Sequence, residues 1–111
     1  MIYTVTVMGK FKKDVELLNQ SISPKDGIYW IPDSQWTAGY FTKLEDAIDA
    51  VKHNHADVFE HCYDYAVIEA FGEGFYPIGE IEQIWFKYDY DTNQAYQIDP
   101  PVYNKISSYA F

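Results

Sequence analysis

Three histidines and the only cysteine of this 111-residue chain fall within ten positions, with two carboxylates between them. These residues are His53, His55, Asp57, Glu60, His61 and Cys62. Imidazole, thiolate and carboxylate groups are the ligands of zinc, which takes four of them in a structural site. The spacing suits zinc poorly, because on one continuous helix His53 and His55 lie about 200° apart and no C-x-x-C pair is present. We expect surface histidines around a helix end, and neither a metal nor another cofactor.

Two other residues have side chains that catalysis uses. A catalytic cysteine needs a nearby cation or helix N-terminus that favours the thiolate. Cys62 is instead preceded and followed in the sequence by residues with carboxylates. We therefore expect its side chain to be a small buried one. Glu69 lies in an apolar stretch, where a carboxylate must be hydrogen-bonded; we expect a structural bond to a tyrosine hydroxyl. Gly72 and Gly74 lack the lysine and helix of a phosphate loop and predict a turn. These readings predict a protein that is not an enzyme.

The charge of the chain favours one class of partner. The net charge is −9, all eight basic residues are lysines, and residues 56–111 hold ten acidic residues against two lysines. Such a surface repels nucleic acid, whose binding depends on neutralised phosphates. It attracts a basic surface on another protein, chiefly by accelerating association. The alternative is that the carboxylates only keep the protein soluble.

Carboxylates near a predicted hairpin are candidates for mimicking a phosphate backbone. We predict a partner-binding surface of Glu80, Glu82, Asp89, Tyr90 and Asp91. The chain also has 21 aromatic residues, more than a core of this size encloses, and exposed aromatic side chains are enriched in interfaces. The region of Trp30 and Trp36 is therefore a second candidate interface. An alternative ligand-binding set, able to stack a nucleobase, is Trp30, Trp36, Tyr40 and Tyr76.

The periodicity of the apolar residues predicts a single α+β domain over residues 1–111. We expect an antiparallel sheet of about five or six strands, with one main helix (about 43–53) and one or two short helices packed on it. Strands are predicted at 2–8, 63–71, 81–90 and 95–98, and a hairpin at 28–41. A short helix is expected over 11–22. Thr42 and Glu45 form a capping-box pattern, and Asn54 is a helix stop.

Targeting features are missing from the sequence. The first residues lack the apolar region of a signal peptide, and no apolar run approaches the roughly 18–20 residues that span a bilayer. We expect a cytoplasmic protein without a membrane partner. The composition leaves open whether the chain forms a homo-oligomer.

A pattern over residues 36–98 resembles a family of small accessory proteins of phages and prophages from Firmicutes. The residues that carry it are Gly39-Tyr40-Phe41, Ala47, Val51, Asn54, Asp57, Glu60, Tyr63, Tyr65–Glu69, Gly74, Tyr76 and Trp85-Phe86. The resemblance implies a mobile-element context and no catalytic residues. Together with the acidic charge and the excess of aromatic residues, this context makes a host nucleic-acid-handling factor with a basic surface the expected partner. Our first hypothesis is therefore an anti-CRISPR or anti-restriction inhibitor. The alternative is a protein that sequesters a nucleotide immune signal in an aromatic pocket.

Overall fold

The computed structural model describes residues 1–13, 30–74, 82–100 and 109, with the backbone alone at 11–13, 30 and 31. The strands of this part are β1 (Ile2–Met8), β2 (Phe11–Lys13), β3 (Trp30–Pro32), β4 (Gln35–Phe41), β5 (Tyr65–Phe71), β6 (Gln83–Asp89) and β7 (Gln94–Ile98). Helix α1 spans Leu44–Lys52, and a 3-10 turn follows at His55–Asp57. Among the described residues, no helix has the length and apolarity needed to traverse a bilayer.

Five strands form one antiparallel sheet in the order β4-β1-β5-β6-β7, and β2 and β3 pair separately. The predicted α+β class with one main helix is therefore confirmed. The central position of β5 explains its nearly continuous apolar sequence, because both of its faces are covered. The short loop between β6 and β7 makes them a hairpin, as the sequence predicts.

One face of the sheet packs against α1. Val5 on β1, Ile68 on β5 and Ile84 on β6 are paired across the strands and form a row on this face. Helix α1 covers the face with Ala47 and Val51, both fully buried. The i, i+4 spacing of these two residues places them on one side of the helix, so the amphipathic pattern in the sequence fixes which side faces the sheet.

The other face carries a second, smaller core. Its buried members are Met8, Val67, Trp85 and Tyr109. The rings of Trp85 and Tyr109 meet edge to face, with centroids 5.4 Å apart, an arrangement that the quadrupoles of aromatic rings favour. Tyr109, near the end of the chain, therefore covers the face of the sheet opposite α1.

Glu69 lies in the middle of this second face and is fully buried. One carboxylate oxygen accepts a hydrogen bond from the backbone N–H of Tyr109 at 2.7 Å, and the other accepts one from the side-chain amide of Gln83 at 3.1 Å. The structural role predicted for Glu69 is thus supported, with a tyrosine backbone group as a partner. The carboxylate connects β5 to β6 and to the C-terminal region.

Three local predictions are wrong. Phe11–Lys13 is a strand instead of the start of a helix, because its backbone pairs with Trp30–Pro32; residues 14–29, with the remainder of that helix and the turn at 23–27, lie outside the described residues. The predicted 28–41 hairpin is absent, since its two strands pair with different partners. Lys43 is the N-cap of α1 and makes no side-chain capping bond, so the capping box does not form.

Replacing Glu69 by alanine should lower the free energy of unfolding by about 2–4 kcal/mol, because the buried N–H of Tyr109 and the partly buried side-chain amide of Gln83 lose an acceptor. Glu69→Gln keeps an acceptor oxygen and should cost less. Urea unfolding followed by tryptophan fluorescence measures both. The control Glu73→Ala, at an exposed turn position, should stay within about 0.5 kcal/mol of the unmodified protein. Equal stability of the Glu69→Ala protein would contradict this account.

Candidate functional site

The loop that follows α1 is organised by the side chain of Asn54. This residue has a left-handed backbone (φ 49°) directly after the C-cap His53, as expected for a helix stop. Its Oδ1 accepts a hydrogen bond from the N–H of Phe59 at 3.0 Å, and its Nδ2 donates to Asp57 and to the hydroxyl of Tyr88. One amide group therefore closes the loop and joins it to β6.

The turn between β6 and β7 is held against the same loop by two tyrosines. The Tyr88 hydroxyl donates to Asn93 at 3.1 Å. Tyr90 stacks on Tyr88 with ring centroids 4.7 Å apart and an interplanar angle of 9°, and its hydroxyl donates to the carbonyl of Tyr63 at 3.0 Å. These bonds place the turn and the loop, which are distant in sequence, at one end of the sheet.

We call this region the acidic end and define it as residues 54–64 and 89–93. It contains five carboxylates and no lysine. Three of the carboxylates, on Asp57, Glu60 and Asp91, are exposed. The other two are partly buried, and one of them, on Asp89, accepts a hydrogen bond from the N–H of Asp91 at 2.8 Å and so shapes the turn. The acidic end therefore presents negative charge on a hydrogen-bonded frame.

The residues predicted for partner binding are divided by the fold. Asp89, Tyr90 and Asp91 belong to the acidic end, whereas Glu82 precedes the opposite end of β6, roughly 23 Å away at 3.3 Å per residue. Glu82 lines a separate cavity of about 120 Å³, and Glu80 lies outside the described residues. The predicted set is thus not one cluster. Asp57 and Glu60, which share the acidic end with Asp89 and Asp91, were absent from the predicted set, although the Asn-x-x-Asp spacing after the helix is visible in the sequence.

A cleft of about 380 Å³ opens beside the acidic end, between β4 and the loop after α1. Its floor includes Val5, Phe41 and Val51, and its rim includes Asp57 and Glu60. An apolar cavity of this size with a few polar groups is typical of binding sites, which run from about 300 to 1,000 Å³.

The aromatic residues of the alternative ligand set are also divided. Trp36 lines the cleft and is 48% exposed. Tyr40 contributes to the lining, but it pairs with Thr4, so its side chain lies on the face of the sheet opposite α1. The side chain of Trp30, and Tyr76, lie outside the described residues. Of the predicted aromatic set, the described part of the chain therefore places one ring, that of Trp36, on the cleft side of the sheet.

Several residues of the loop after α1 have a left-handed backbone conformation, which is uncommon for residues other than glycine. Its non-glycine residues with positive φ are Asn54, Ala56, Asp57, Glu60 and His61. Asparagine and aspartate tolerate this region, whereas alanine and glutamate are disfavoured there. Strained residues of this kind concentrate at functional sites, and Ala56, Asp57 and Glu60 all line the cleft.

The three histidines lie after the end of α1 and not on one continuous helix, which was the geometry considered from the sequence. Because α1 ends at Lys52, His53 and His55 are not on one helix, and both approach Asp49, at 3.3 and 4.0 Å. His61 lies 3.7 Å from Asp57. Among the described residues, no three histidine, cysteine or acidic side chains are grouped closely enough to hold a metal ion.

Cys62 is exposed, so the prediction of a buried side chain is wrong. The residue lies in the turn before β5, where no sheet face covers it. Its backbone N–H donates to the carbonyl of Phe59, so its position follows from the loop geometry.

Two tyrosines of the acidic end have raised pKa values. Burial, followed by the negative charges of Asp64 and Cys62, raises the pKa of Tyr90 above 10. Burial, followed by the charges of Cys62 and Glu60, raises the pKa of Tyr63 in the same direction. The phenolic proton is therefore held more tightly in the folded protein than in the unfolded chain.

These shifts predict a loss of stability at alkaline pH. Above about pH 10 the unfolded tyrosines release protons while the folded ones retain them, so the free energy of unfolding should fall as the pH rises through the folded pKa. Tyr90→Phe should reduce this fall, and Tyr90→Phe combined with Tyr63→Phe should reduce it further. Urea unfolding between pH 8 and pH 11 measures it. An identical alkaline loss in the double variant would contradict the prediction.

The left-handed backbone predicts that glycine is better than alanine at position 56. Ala56→Gly should raise the free energy of unfolding by about 0.5–1 kcal/mol, because the relief of strain exceeds the added freedom of the unfolded chain. The matched control is Ala50→Gly inside α1, which should lower it by about 0.5–1 kcal/mol. Thermal and urea unfolding compare the two. A loss of stability in both variants would show that position 56 is not strained.

Comparison of the chain with protein-family models, with curated proteins and with solved structures gave no match. The function is therefore argued from the chemistry of the acidic end and of the cleft beside it.

Proposed function

We propose that this protein is a non-catalytic binding protein that docks its acidic end on a basic surface of a partner protein. The observation that carries the proposal is the concentration of five carboxylates, without a lysine, in two segments that side-chain hydrogen bonds hold together. Like charges repel one another, so such a group of carboxylates weakens the folded state unless counter-charges approach it. A cationic surface on a partner supplies those counter-charges.

The proposed partner is a protein that itself handles nucleic acid. Such proteins carry surfaces rich in lysine and arginine that neutralise phosphates. Carboxylates on a firm frame compete for the same surface and so inhibit nucleic-acid binding. The chain carries no arginine and a net charge of −9, which argues against its binding nucleic acid directly. The resemblance to phage accessory proteins extends the proposal to a host defence factor, such as a CRISPR effector or a restriction enzyme, in the host cytoplasm.

The alternative function is capture of a nucleotide immune signal. The observation in its favour is the exposed Trp36 beside an apolar cleft, since an indole ring stacks well on a base. The carboxylates of Asp57 and Glu60 at the same cleft repel phosphate groups. A thermal-shift panel of cyclic nucleotides and ADP-ribose derivatives tests it, because a ligand that binds the folded state raises the melting temperature.

Charge reversal at the acidic end should weaken partner binding. The variant Glu60→Lys/Asp91→Lys changes the net charge from −9 to −5 and changes two exposed side chains. The matched control, Glu73→Lys/Glu82→Lys, has the same net charge, but its changes are at the opposite end of the sheet. Each protein is used to retain partners from a host lysate at low and high salt, and association rates are then measured with the retained protein.

We expect the retained proteins to bind nucleic acid, and nucleic acid to displace the unmodified protein from them. The acidic-end variant should associate about tenfold more slowly at low salt, and the rate should depend less on salt. The control should associate nearly as fast as the unmodified protein. Equal retention of partners by both variants, or no retention by the unmodified protein, would refute the proposal.

A further inference from the structure

The cleft beside β4 combines three features that together suit a cationic side chain. It has an apolar floor that includes the partly exposed Phe41 and Val58, two carboxylates, on Asp57 and Glu60, and an exposed tryptophan, Trp36. Among the described residues that line it there is no lysine, and the basic side chain present is that of His55. The floor accommodates a methylene stem, the carboxylates attract a positive charge, and the indole face attracts a cation through its quadrupole.

The geometry of β4 places Trp36 at the cleft. Trp36 pairs with Val7, and Gly39 pairs with Val5, so the tryptophan lies on the side of the sheet that faces α1. A tryptophan left 48% exposed on this side leaves a large apolar ring without full cover. Tryptophan is enriched among the residues that dominate binding energy at interfaces.

We infer that the cleft receives an arginine side chain of the basic partner. A guanidinium group is planar, so it stacks on an indole ring, and its five N–H donors form paired hydrogen bonds with carboxylates. The ammonium group of a lysine is not planar and cannot form the same paired hydrogen bonds with a carboxylate. This inference rests on the proposed function and adds the chemical group that anchors the partner, next to the field of the acidic end.

Gly39 provides a way to close the cleft without changing any charge. It lines the cleft, and a Cβ atom built on it meets no atom of the described residues within 4 Å. Gly39→Leu should therefore fill the cleft while leaving the fold intact. Gly72 has the same open surroundings at the turn after β5, away from the cleft, so Gly72→Leu is the matched control.

The probes are peptides of six arginines, six lysines or six citrullines, and binding is measured by calorimetry in low salt. Citrulline keeps the shape of arginine and lacks its charge. We expect the arginine peptide to bind most tightly. Gly39→Leu should weaken that binding about tenfold, and Gly72→Leu should leave it within about twofold, because stacking and paired hydrogen bonds are lost only when the cleft is filled.

Fluorescence of Trp36 gives a second measurement that needs no folded Gly39→Leu protein. The chain has three tryptophans, so the emission is compared with that of Trp36→Phe. A change caused by the arginine peptide that disappears in this variant reports on the cleft. Binding without such a change would overturn the inference. Equal affinity for the lysine peptide would also overturn it, since the choice of arginine would then be wrong.

The remaining outcomes separate this inference from the proposed function. If Glu60→Lys/Asp91→Lys weakens arginine-peptide binding while Gly39→Leu does not, the cleft inference fails and docking by the acidic end stands. If the arginine peptide does not bind, or if Glu73→Lys/Glu82→Lys weakens it equally, both fail. If Gly39→Leu abolishes the binding of ADP-ribose or a cyclic nucleotide, the cleft is a nucleotide site and the arginine inference is wrong.

Discussion

The acidic end of the molecule depends on the hydrogen bonds of one side-chain amide, that of Asn54. It stops α1 in a left-handed turn, closes the following loop through the N–H of Phe59 and reaches the hydroxyl of Tyr88 on β6. Tyr88 in turn bonds to Asn93 and stacks under Tyr90. The amide and hydroxyl groups of these residues thus fix the positions of the two segments that carry the carboxylates of the acidic end. The carboxylates of Asp57 and Asp89 accept hydrogen bonds within this frame, while those of Glu60 and Asp91 are exposed to solvent or to a partner.

The residues that stabilise the fold are different from the residues that carry the exposed negative charge of the acidic end. The two cores of the sheet, on the side of Val5 and on the side of Trp85, are built from apolar side chains. Glu69, the buried carboxylate on the Trp85 side, is occupied by its hydrogen bonds to Tyr109 and Gln83. The exposed carboxylates of the acidic end contribute little to packing. Their field is screened over about 8–10 Å at physiological salt, so it acts mainly on a surface that is already close, such as one whose side chain enters the neighbouring cleft.

The cleft itself follows from a bulge in β4. Between the pairs Val5–Gly39 and Thr6–Thr37, Ala38 is an extra residue opposite β1. The bulge moves Trp36 to the same side as Gly39, where strict alternation would have placed it on the opposite side. Gly39 then leaves the space beside the tryptophan open. Bulges of this kind commonly re-aim a side chain near a functional site.

The sequence by itself predicted strands at 2–8, 63–71, 81–90 and 95–98, which the structure bounds at Ile2–Met8, Tyr65–Phe71, Gln83–Asp89 and Gln94–Ile98. It also determined the amphipathic face of α1 and the helix stop at Asn54, because these features depend on local periodicity and local backbone preference. The sequence also indicated that Asp91 lies in a turn. Only the tertiary structure decided that Glu60 and Asp91 share one end, that Glu82 does not, and that Trp36 faces α1. The physical reason is that strand partners, bulges and side-chain bonds between distant segments depend on the assembled sheet, which no short window of sequence contains.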